Sequence, residues 1–188
     1  MRQPDTRFWW LLAAISGVIY PALVYYYIDK APPAFFGLIA LGLIGGRIII
    51  TGRKAEDRFW LPVLAIAGAT MTMVLFIDSR LAVKIYPILM SLSVASVFAL
   101  SLRYPPTVIE RLARIREPNL PLSGITYTRR VTIVWVAFLI ANAGISLITA
   151  LWGTLAQWTL WNGLLSYLAM GMLFAGEWVI RQWVRAWL

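Results

Sequence analysis

Six stretches of this sequence are apolar over nearly the length that a lipid bilayer demands, and short basic clusters separate them. That alternation constrains the fold more than any other feature, because a hydrocarbon core of roughly 30 Å takes about 20 apolar residues in an α-helix. The stretches run over 8–28, 35–50, 59–77, 81–102, 131–151 and 158–180. Inside lipid every backbone amide must be satisfied within the protein, which leaves only helices and closed barrels. None of the six alternates apolar with polar residues as barrel strands do, so the expected fold is all-α. A single integral membrane domain over residues 1–188 with six transmembrane helices follows. The share of charged residues, 13%, is about half that of a soluble domain, so no separate soluble domain is expected.

The basic residues orient these helices, since loops on the cytoplasmic side carry the excess of Lys and Arg. Assigning loops to alternate faces places 14 of the 17 Lys and Arg on one side, leaving Lys30, Arg80 and Lys84 on the other. Both termini then fall on the cytoplasmic side, in a bacterial inner membrane. The apolar run at the N-terminus ends in Tyr25, Tyr26 and Tyr27 with no small-residue cleavage site, and is read as a retained first helix. Trp9, Trp10, Trp60, Trp178 and Trp183 fall at the inner interface and Trp152 and Trp158 at the outer one, where indoles anchor. The net charge of +9 is a collar flanking the membrane, not a nucleic-acid groove.

With no cysteine and no histidine, the chain lacks disulfides, thiol nucleophiles, His-based triads and the usual zinc and haem ligands. Neither a metal centre nor a cofactor is expected, and no acidic cluster is spaced to hold Mg²⁺.

One connection, residues 103–130, is long enough to have structure of its own. Pro105-Pro106 ends the fourth span, and Thr107 with Glu110 has the spacing of a capping box. Val108, Ile109, Leu112 and Ile115 then recur at helical spacing, which predicts one short basic amphipathic helix at the inner interface, between the fourth and fifth spans. Its bland role is to position the spans. Its sharper role is an anion-binding surface made from Arg111, Arg114, Arg116, Arg129 and Arg130.

Ionisable groups are scarce at membrane depth, so ion-coupled transport ranks low. Asn142 is the best-placed polar group near the midplane, with Asn162 and Tyr167 toward the outer half; each is expected to hydrogen-bond between helices or to meet a lipid. Glu177 precedes Arg181 by four residues, the favourable order for a helical ion pair. Alternatively Glu177 faces Arg129 or Arg130 and closes a cytoplasmic polar pocket. Gly42 and Gly46 have the spacing of a close helix contact, and a homo-oligomer through them is one expectation.

Pro105 to Arg114, Glu117 to Pro121 and Tyr127 to Thr132 together resemble the cytoplasmic loop of an uncharacterised family of bacterial inner-membrane proteins encoded in aryl polyene biosynthesis clusters. Tyr20-Pro21, Tyr86-Pro87, Trp161-Asn162-Gly163, Ser166-Tyr167 and Gly176-Glu177-Trp178 extend the likeness over nearly the whole chain. A weaker likeness, to the intracellular septation protein A family, rests on Asp78, Lys84 and Pro87; where that family has a second lysine before the proline, this chain has Tyr86. What the first resemblance implies is an accessory role in assembling envelope lipids or an aryl polyene lipid. The partners expected on that reading are membrane lipids, an acyl carrier protein or lipid-biosynthesis enzymes. It implies no catalytic residue. An acyl or phospho-transferase using Glu177, Glu110 or Glu117 as base, and a scaffold subunit of an envelope assembly, are the alternatives.

Overall fold

The computed structural model describes residues 21–27, 30, 32–52, 61–115 and 117–186, and all regular structure among them is helical. Residues 21–27 form α1. α2 (Pro33–Gly52), α3 (Leu61–Ile77), α4 (Ser79–Arg103), α5 (Val108–Arg114), α6 (Leu122–Leu151) and α7 (Leu155–Leu160) follow. A π-helical segment, Trp161–Leu165, then runs directly into α8, Ser166–Ala186. Most of the first expected span, together with Arg116, lies outside the described residues.

Three helical stretches are long and apolar enough to cross a membrane: Ser79–Arg103, Leu122–Leu151 and Leu155–Gln182. α2 and α3 carry shorter apolar stretches, Phe35–Gly46 and Val63–Ile77. The helices expose large apolar side chains, among them Ile66, Met73 and Phe76 on α3 and Leu168, Met172 and Phe174 on α8. Lipid, not water, suits such surfaces.

The chain divides into two compact units, Ala34–Leu147 and the residues on either side of it. In the central unit α3 packs along α4, and a single residue joins them. Asp78, at φ −150° and ψ 105°, accepts hydrogen bonds on its side chain from the backbone N–H groups of Arg80 (2.8 Å) and Leu81 (3.1 Å). It thereby satisfies two of the amides that every helix start leaves free. Close approach in this unit occurs at Gly37, where a β-carbon would overlap Leu75 Cδ1. Around Gly42 and Gly46, by contrast, no described residue comes within 4 Å of where a β-carbon would stand. Trp135 is buried, with its ring centroid 5.8 Å from that of Phe138 and 6.4 Å from that of Phe98. Asn142 Nδ2 donates to Ser91 Oγ at 3.0 Å, tying α6 to α4.

α6 begins nine residues before the fifth expected span. Ile125 N–H already donates to Pro121 O (3.0 Å), and the hydroxyls of Thr126, Thr128 and Thr132 donate back to carbonyls three or four residues earlier. With 30 residues the helix is about 45 Å long, well beyond the roughly 30 Å of a hydrocarbon core. The paired arginines 129 and 130 mark where lipid should stop; the helix itself continues past them.

In the other unit, Trp158, Asn162 and Ser166 form one buried face, four residues apart. Trp158 is therefore wholly buried and is no interfacial anchor, whereas Trp152 and Trp178 are exposed as anchors should be. The helix starts at Leu155, three residues before the sixth expected span, through a reciprocal capping box between Thr154 and Gln157. Pro21 of α1 lies close to the π segment, so that a β-carbon on Gly163 would stand 3.5 Å from Pro21 Cβ.

Candidate functional site

The arginine-rich corner between α4 and α6 is built by side chains reaching for carbonyls that helix ends leave free. Ser101 Oγ donates to Phe98 O (2.7 Å) and accepts from Val108 N–H (3.1 Å), so one hydroxyl links the last turn of α4 to the first of α5. Thr107, buried, caps α5 by accepting from Glu110 N–H at 3.2 Å.

Only the threonine half of the expected capping box governs this start. The Glu110 carboxylate turns instead to Arg114, whose Nε and Nη2 donate to Oε1 at 3.0 and 2.8 Å. A guanidinium four residues on offers that carboxylate a charge-assisted partner, and an ionic bond outweighs one to a neutral amide. Arg114 Nη1 also donates to Pro118 O (3.1 Å), which fastens the segment after α5 back onto it. Arg111 Nε donates to Pro106 O (3.1 Å), and Arg129 Nη1 reaches Leu102 O (2.9 Å) near the end of α4.

Three of the expected anion-binding arginines thus hold the corner together. Arg111, Arg129 and Arg130 are exposed, and Arg103 stacks over the Tyr104 ring at 5.7 Å. Residues 101–132 carry six arginines against two glutamates, so the corner keeps a strong positive balance after its internal pair is counted. On α5, Leu112 is 57% and Ile115 78% exposed, and Leu122 opens α6 at 82%. Leucine and isoleucine thus stand exposed beside exposed arginine, a combination that suits a membrane interface.

The remaining sequence-derived residues lie elsewhere. Glu177 and Arg181 form the expected ion pair, at 3.5 Å. They belong to one unit, and Arg111, Arg114, Arg129 and Arg130 to the other. Asn162, buried, donates from Nδ2 to Trp158 O (2.9 Å) within its own helix, and Tyr167 is half-buried in the first turn of α8. Among the described residues, no three acidic side chains are placed to hold a metal ion.

Sequence reasoning missed the Glu110–Arg114 pair although its spacing equals that of Glu177 and Arg181. It also missed Ser91 as the partner of Asn142, a contact 51 residues apart that no local pattern encodes. Comparison with protein-family models, with curated proteins and with solved structures finds no match.

Proposed function

We propose that this chain is a multi-pass protein of a bacterial inner membrane, with six spans and both termini in the cytoplasm. Its corner between α4 and α6 receives anionic lipid headgroups or the acidic carrier of an acyl intermediate. The role is accessory: the basic surface gathers the intermediate and the helices shelter its chain, within the assembly of envelope lipids of the aryl polyene kind. The observation that carries this reading is the surface of α5, where Leu112 and Ile115 stand exposed beside Arg111 while Glu110 is buried on Arg114. The acidic group on α5 itself is withdrawn, leaving Glu117 as the exposed carboxylate of the corner, and the basic and apolar groups that suit an anionic lipid are presented. Each arginine near an anionic surface contributes about 1 kcal/mol, a term that salt screens.

The test replaces Arg111 and Arg130 by Glu in the full chain and compares bound phosphatidylglycerol with phosphatidylcholine by native mass spectrometry at low salt. The preference for the anionic lipid should fall by roughly tenfold or more, following the two charge reversals. A preference equal to that of the unaltered protein refutes the reading. Co-purification with an acyl carrier protein, measured on the same variants, separates the carrier from the lipid.

A further inference from the structure

α6 ends at Leu151, α7 begins at Leu155, and beside the turn between them lies a cavity of about 400 Å³. Ile148 and Thr149 line it from α6, Trp152 from the turn, and Gln157, Leu160, Trp161 and Leu165 from the helix that follows. Among the described residues, no charged side chain lines it. It is an open groove along the helix surface and not an enclosed chamber.

Two features mark it as more than a packing gap. Trp161 and Leu165 are the first and last residues of the π-helical segment, so the irregular turn itself forms one wall. Single π turns inside longer helices recur at functional sites. This one is pinned by a side chain: Asn162 Nδ2 donates to Trp158 O, which also accepts the Trp161 N–H.

The second feature is the amide of Gln157. Its Oε1 accepts from Thr154 N–H at 2.8 Å, while its own N–H donates to Thr154 Oγ1 at 3.2 Å. A backbone N–H can be met only by the oxygen of the amide, so the bond fixes which end is which. The Nε2 group, with two hydrogens to donate, is therefore turned away from the cap.

We propose that this cavity binds one hydrocarbon chain of a bilayer lipid, with Gln157 Nε2 donating to the ester carbonyl at the head of that chain. The helices on either side of the turn are two of the three long enough to cross a membrane. A turn between two such helices stands where the hydrocarbon ends, the depth at which ester carbonyls lie and acyl chains begin. Trp152, 78% exposed, is the residue type that favours this depth. A charged metabolite would find no opposite charge among the described residues there, whereas an acyl ester finds a mainly apolar cleft with the Gln157 amide at its head. The inference is independent of the basic corner, and it makes headgroup charge irrelevant.

The experiment uses the full chain in detergent with dioleoyl phosphatidylcholine, and native mass spectrometry to count lipid that survives collisional stripping. The unaltered protein should keep one phosphatidylcholine per chain, and with phosphatidylglycerol of the same chain length the share of lipid lost on filling the cavity should be equal, any further anionic lipid belonging to the basic corner. Leu165→Trp, which fills the cavity, should lower retention at least tenfold with helix content unchanged by circular dichroism. Gln157→Glu keeps the oxygen that caps α7 and removes both donors; it should lower retention by roughly threefold or more, the worth of one hydrogen bond. The proposal is overturned if the unaltered protein keeps no lipid, if retention requires the anionic headgroup, or if folded Leu165→Trp retains lipid normally. Should Leu165→Trp not fold, Gln157→Glu decides, and normal retention by that variant overturns it.

Discussion

Removing one or the other member of the Glu110–Arg114 pair should have unequal effects. Glu110 is the only buried acidic side chain among the described residues; in the pair its side chain is 6% exposed and that of Arg114 37%. Arg114→Met keeps most of the aliphatic stem but leaves a buried carboxylate without its cation, a loss that costs about 3–5 kcal/mol for fully buried pairs. Water already reaches Arg114, so part of that attraction is screened and the expected cost is about 2–3 kcal/mol. Glu110→Gln instead leaves a cation that water can solvate and that still holds Pro118 O, while the new amide oxygen can accept from it; the expected cost is about 0.5–1.5 kcal/mol. The difference, about 1.5 kcal/mol, is roughly tenfold in the opening equilibrium of α5. Hydrogen exchange of the Arg111 and Glu117 amides reads this opening locally, because they donate to Thr107 O and Ala113 O across the same turns. Equal acceleration by the two variants, or a larger effect of Glu110→Gln, would refute the argument from burial.

Asn162→Leu should destabilise the protein by about 1–2 kcal/mol, because the buried Trp158 carbonyl loses the side-chain donor that the π turn depends on; unfolding in mixed micelles measures it. A contrast between glycines should appear in the same assay. Gly37→Leu should cost about 1–3 kcal/mol through overpacking against Leu75, whereas Gly42→Leu, with none of the described residues within 4 Å of its β-carbon position, should be neutral or gain up to about 1 kcal/mol of helix propensity.

Patterns that are local, or that lipid imposes, were legible in the sequence. The apolar runs placed α4, α6 and the last helix, Thr107 located the start of α5, and Glu177 announced its pair with Arg181. Where the reading slipped, two different boundaries had been taken for one. Arg129 and Arg130 bound the apolar run of α6, but the helix begins at Leu122 because hydrogen bonding, not hydropathy, sets its end. The start at Leu155 is readable from the Thr154-x-x-Gln157 spacing, a capping signal that lies upstream of the apolar run. Glu110 was assigned to backbone amides when a stronger partner stood one turn later. The π turn had no recognised sequence signature, since Asn162 could equally have bonded to another helix. Between helices of the chain, the close glycine contact among the described residues falls at Gly37, where a leucine of the next helix arrives, a meeting that no local spacing announces.

The Asp78 corner has a mechanical consequence. Because one residue joins two packed helices and two of the next helix's amides hang on its carboxylate, there is no slack for either to slide along its axis past the other. α3 and α4 therefore tilt as one lever. Motion in this protein therefore carries that pair as a rigid piece, with its bending confined to other joints.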